Sequence, residues 1–96
     1  MNNLQELLDN KKIFFRYIAE RFPLFTGANV FARDIQYGIK FFFEKKNIML
    51  KYTEAEKLTS EFTSSLVESG DLTLFNEQTW KVNLVFKEAI ETEVAE

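Results

Sequence analysis

One stretch limits the fold more than any other. Residues 29–46, NVFARDIQYGIKFFFEKK, read as a helix with Asn29 as N-cap. An ordinary surface helix has an apolar arc of about 100°. This one approaches twice that. Phe31, Ile35, Gly38, Ile39 and Phe42 form a main stripe. Val30, Tyr37 and Phe41 form a second stripe to one side, and Phe43 lies beyond Ile39 on the other. Only Arg33, Gln36, Lys40 and Glu44 share a polar strip, and Asp34 interrupts the apolar arc. A helix apolar over most of its circumference is a central one, wrapped by its neighbours. Gly38 in the main stripe lets another helix approach closely, at about 1 kcal/mol of helix propensity relative to Ala.

The neighbours are legible on both sides. Residues 3–22, NLQELLDNKKIFFRYIAERF, have helical period, with Asn2 or Asn3 as cap. Leu4, Leu7, Leu8, Phe14, Phe15, Ile18 and Phe22 share a side. Lys11 falls inside that stripe, so either its stem snorkels or the helix bends or restarts near Asp9–Asn10. Pro23 ends it. Residues 23–29 are a connector with turn residues Gly27 and Asn29 and room for a short strand at Leu24–Phe25. Residues 47–52 form an extended link.

Residues 53–69 are the third helix. Thr53 and Glu56 have the spacing of a capping box, Ala55, Leu58, Phe62 and Leu66 give its buried stripe, and Gly70 suits a left-handed end. Residues 71–86 alternate with period two about a turn at Asn76–Gln78, a β-hairpin with Leu72, Leu74, Trp80, Val82, Leu84 and Phe86 inward. The expected fold is α+β, three helices followed by a C-terminal hairpin. It occupies residues 1–86 as one domain, with an acidic tail over 87–96.

Aromatic content matters here because the domain is small. Eleven Phe, three Tyr and one Trp stand among 96 residues, and each large ring can bury about 150–250 Å². Tyr37, Phe41 and Phe43 do not all fit inside such a domain, and Ile13 and Tyr17 fall outside the first helix's stripe. Surplus apolar area of this kind marks an interaction site, with charge support from Lys40, Lys45 and Lys46.

Chemistry is scarce. There is no Cys and no His, so disulfide, thiol and imidazole chemistry are excluded. Ser60, Thr63, Ser64 and Ser65 lack a His to activate them. No phosphate-binding glycine loop occurs. The expectation is no catalytic residue, no metal site and no cofactor. There is no run of about 18 apolar residues and no signal pattern, so no membrane association and a cytoplasmic location are expected.

Charge is divided along the chain. Residues 1–52 carry nine Lys/Arg and five Asp/Glu; residues 53–96 carry three Lys and ten Asp/Glu. Glu54, Glu61, Glu68 and Asp71 form an acidic surface. Lys11, Lys12, Arg16, Arg21 and Lys51, with Lys45 and Lys46, form a basic patch open to nucleic acid or an acidic protein.

Two stretches carry a family likeness. FARDIQYGI resembles the second helix of a winged helix-turn-helix domain. TSEFTSSLVESGDLTL followed by TWKVNLVF resembles its recognition helix running into a wing. The likeness spans roughly residues 12–86 and implies DNA binding through the third helix in the major groove. It would assign base reading to Glu54, Lys57, Ser60, Glu61, Ser64 and Glu68. Yet residues 53–69 hold one Lys against four Glu, whereas DNA affinity comes mainly from cations neutralising phosphates. The wing tip, Asn76–Gln78, also lacks a cation, and KFFFEKKNIMLKY lengthens the link between the two helices. In size and charge the chain is similar to small acidic inhibitors encoded by phages, some anti-CRISPR proteins among them. The expected function is therefore binding of a protein partner, as a regulator or inhibitor. A DNA-binding regulator and a homodimeric structural subunit are the alternatives.

Overall fold

The first helical stretch breaks where Lys11 would have entered the apolar stripe. The computed structural model describes residues 3–21 and 24–84, and places α1 at Asn3–Asp9 and α2 at Lys11–Ala19. Asn10 takes a non-helical φ/ψ of −118°/29° between them. The break lets one stripe serve two surfaces: α1 packs on α4 (Tyr52–Ser69) while α2 packs on α3 (Ala32–Glu44). Lys11 instead reaches across to Asp71, Nζ to Oδ2 at 2.6 Å. Three expected helices thus become four among the described residues.

The strand content also exceeds the expected hairpin. Asn29–Phe31 is a strand, β1, rather than the first turn of a helix. Its residues suit either form, since Val and Phe favour a pleated, half-buried surface. What decides is the open edge of β3 (Thr79–Val82), whose N–H and C=O groups need partners. Val30 pairs with Trp80 and Phe31 with Thr79. Flanking bonds extend the match: the Gly27 amide donates to Val82 O at 2.7 Å and the Ala32 amide to Gln78 O at 2.9 Å. β2 (Leu72–Asn76) pairs on the other side of β3, giving an antiparallel sheet in the order β1-β3-β2. Pleating turns Val30 inward and leaves Phe31, expected in the helix's main stripe, 53% exposed. Leu24 and Phe25 form no strand.

α3 is the central helix. Ile35, Gly38, Ile39, Phe42 and Phe43 are all buried along it. Its end closes by backbone bonding of the Schellman type: the Ile48 amide donates to Phe43 O, the Asn47 amide to Glu44 O, and Asn47 sits at φ 65°. The following link therefore opens with a turn rather than an extended segment, and Met49 is left prominent on the surface.

α4 begins one residue earlier than expected. The Glu54 carboxylate accepts the Lys51 amide at 2.9 Å, so the capping carboxylate is Glu54 and not Glu56. Its core face is the expected one: Ala55, Leu58, Phe62 and Leu66 are buried. At its end Gly70 has φ 90°, with the Asp71 amide donating to Leu66 O and the Gly70 amide to Val67 O. A Cβ at Gly70 would meet nothing within 4 Å, so only backbone strain opposes a larger residue. Gly70→Ala is expected to cost about 1 kcal/mol and Gly70→Asn less, read as midpoint shifts in urea unfolding.

One cluster unites these elements, with Leu7, Phe14, Phe15, Ile18, Phe62 and Leu66 at its middle and Leu72, Trp80, Val82 and Leu84 as its sheet side. Val85, Phe86 and the acidic tail over 87–96 lie outside the described residues.

Candidate functional site

The surplus aromatic face of α3 exists, but Phe43 is not part of it. Phe43 is 1% exposed and meets Phe42 edge-on at 5.4 Å. It belongs to the buried core cluster together with Phe14, Phe15 and Phe62. Just past α3, Lys46 holds Glu6 of α1 at 2.6 Å, and α1 lies against α4. Tyr37 and Phe41 remain on the opposite flank, 50% and 38% exposed.

Around these two rings the surface is apolar and concave. A small depression of about 270 Å³ is lined by Tyr37, Lys40, Phe41, Glu44, Met49 and Leu50. Tyr37 also forms a wall of a larger open groove of about 920 Å³. Arg33 and Tyr37 of α3 stand on one side of it, and Tyr52, Glu56, Thr59, Thr63 and Val67 of α4 on another. Leu74, Glu77 and Trp80 of the hairpin close the end. Tyr37 therefore joins the two depressions into one surface.

Several of these residues depart from the periodic signal or lie outside it. Leu74 faces Trp80 across the hairpin and was expected inside, yet it is 55% exposed. Its side chain lines the larger groove, beside residues of α3 and α4. Phe75 interrupts the register between Leu74 and Asn76 and is exposed. Met49 and Tyr52 lie in the link and at the first position of α4, where no stripe applies.

The expected charged sites are partly consumed inside the fold. Asp71 is not a free acid: its Oδ2 accepts from Lys11 at 2.6 Å and from Ser69 Oγ at 2.8 Å. Glu54 is tied to the α4 cap, while Glu61 and Glu68 are exposed on α4. On the basic side, Lys11 and Lys46 are in ion pairs. The Arg21 guanidinium lies 4.9 Å from the Phe41 ring centre and 5.2 Å from that of Tyr17, and Lys45 Nζ lies 4.6 Å from that of Tyr17. Lys12 and Arg16 are exposed on α2, Lys51 is exposed before α4, and Lys40 is half-buried in the small depression. Arg21 and Lys45 thus share the Tyr17 ring, while Lys11 and Lys46 are held by carboxylates. The aromatic side of the Tyr17–Arg21–Phe41 cluster adjoins the small depression through Phe41.

No helix among the described residues is long and apolar enough to cross a membrane. No protein-family model, curated protein or solved structure matches the chain.

Proposed function

We propose that this chain is a non-enzymatic binding domain that acts by contacting another protein, as a regulator or inhibitor. The observation that carries this reading is the continuous apolar surface through Phe41, Met49, Tyr37, Tyr52, Val67 and Leu74, each 38% exposed or more. Rigid aromatic side chains on helices make effective interface anchors, because they offer large area with little conformational entropy to lose. They stand on α3 and α4, elements held by the aromatic core.

A winged-helix arrangement is supported by the element order, helices, strand, two helices and hairpin, and by the sheet order β1-β3-β2. In that arrangement α4 is the recognition helix and the hairpin is the wing. The charge of α4, one Lys against four Glu, repels phosphate and favours a protein in the place DNA would occupy. A nucleic-acid-handling protein, whose own surface is basic, is the partner class this polarity suits.

Capture from a lysate of the native host, with Phe41→Glu and Tyr37→Glu as controls, tests the reading. A partner retained by the wild type is expected to weaken by about 2 kcal/mol or more, roughly 30-fold, in either variant. Circular dichroism should be unchanged. Titration with random duplex DNA is expected to show no binding at about 50 mM salt. A steep fall of DNA affinity with salt would support the DNA-binding alternative instead. A concentration-dependent dimer by sedimentation, abolished by Phe41→Glu, would assign the face to a second copy.

A further inference from the structure

We infer that the groove between α4 and the hairpin takes a basic segment of the partner, seating an arginine side chain among its aromatic rings and carboxylates. The assignment rests on the protein-binding reading above and adds the chemistry of what is bound.

Two hydroxyls in the groove lining can only accept hydrogen bonds. Thr59 Oγ1 donates to Ala55 O at 2.8 Å, and Thr63 Oγ1 donates to Thr59 O at 2.8 Å. Each hydroxyl has one hydrogen. Both are spent on the helix backbone, so these two buried side chains present only lone pairs. Glu56 and Glu77 on the walls are acceptors as well. Arg33 is the one cation among the lining residues, and α4 as a whole is acidic. Ser60, Ser64, Gln36 and Gln78 can donate as well as accept, so the bias of the lining is in its charge, two carboxylates against one guanidinium, which a positively charged ligand complements.

The rest of the lining selects among cations. Tyr37 and Tyr52 contribute exposed rings beside the largely buried Trp80, and a guanidinium over an exposed ring gains about 0.5–2 kcal/mol. The fold already uses this geometry with Arg21 over Phe41 and Tyr17. Val67 and Leu74 supply apolar contact for an aliphatic stem. Arginine combines a planar, stackable head and five donors with such a stem; lysine offers a strongly hydrated point charge.

The same observations argue against two other occupants. A second copy docking here by two-fold symmetry would set the acidic α4 against itself. A nucleic acid would set phosphates against Glu56 and Glu77.

Trp80 is the only tryptophan in the chain and lines the groove, so its fluorescence reports occupancy. The 96-residue chain is titrated with three peptides of one length that alternate Leu with Arg, Lys or Glu, and with random duplex DNA. A saturable change in Trp80 emission is expected with the Arg peptide, at roughly tenfold higher affinity than with the Lys peptide, and no change with the Glu peptide. The double variant Glu56→Arg/Glu77→Arg, altered only at exposed positions, should lose at least tenfold in affinity for the Arg peptide while keeping its melting temperature. The inference is overturned if the Arg peptide gives no saturable change. Equal affinity in the double variant also overturns it, as does an emission change produced by DNA instead. If the Arg peptide fails while Phe41→Glu still abolishes partner capture, the groove assignment falls and the protein-binding reading stands.

Discussion

Phe62→Ala is expected to lower the unfolding free energy by about 3–5 kcal/mol, the cost of truncating a fully buried phenylalanine. Phe62 is 0% exposed and stands on α4 against two rings of α2. Its ring is edge-on to Phe14 at 5.2 Å and stacked on Phe15 at 6.2 Å. Phe14 in turn is edge-on to Phe15 at 5.4 Å and to Phe42 at 5.7 Å. Such ring pairs add about 0.5–1.5 kcal/mol each beyond area burial, and the chain around the void cannot collapse without breaking them. Domains of this kind have about 5–15 kcal/mol of stability in all. The variant should therefore unfold at far lower urea and melt roughly 4–8 °C lower for each kcal/mol lost. Phe41→Ala is the surface counterpart, expected to cost less than about 1 kcal/mol. Equal losses in the two variants would show that the division into core and docking rings is wrong.

The second large effect is overpacking at Gly38. A Cβ there would stand 2.8 Å from Ile18 Cδ1, 2.9 Å from Ile18 Cγ1 and 3.2 Å from Phe14 Cζ. Those atoms are themselves buried, so they yield only by displacing the ring cluster. Gly38→Val is expected to destabilise by roughly 1–3 kcal/mol. Gly38→Ala should be milder, because about 1 kcal/mol of helix propensity offsets part of the clash. Ile18→Val, which deletes Cδ1, should cost less in the Gly38→Ala background than alone. Strict additivity of that pair in urea unfolding would mean that α2 and α3 do not meet at this glycine.

The close approach at Gly38 was legible before any coordinates, because a glycine in the middle of an apolar stripe has few other uses. So was α4, whose stripe from Ala55 to Leu66 and left-handed Gly70 are local features. The exposed rings divide differently. Tyr37 and Phe41 were legible as surplus, since their stripe lies beside the main one. Phe43 was not, because its burial depends on the core cluster that joins α3 to segments remote in sequence. Nor was the groove legible, since its lining comes from α3, α4 and the hairpin, which are separate in sequence.

Short-range pattern determined, without help from the rest of the molecule, that α3 would be central, that α4 would precede a hairpin, and that aromatic area would be left over. These are consequences of side-chain period and backbone freedom, which act over a few residues. Tertiary structure decided that Asn29–Phe31 would be a strand, that Phe43 would be sealed, and that Tyr37 would link two depressions. Each of those outcomes turns on distant partners: an open edge on β3, the common core that takes in Phe43, and the α4 and hairpin residues that line the groove beside Tyr37. The physical reason is that propensity separates local conformations by about 1 kcal/mol or less per residue, so burial and backbone pairing with remote segments choose between them.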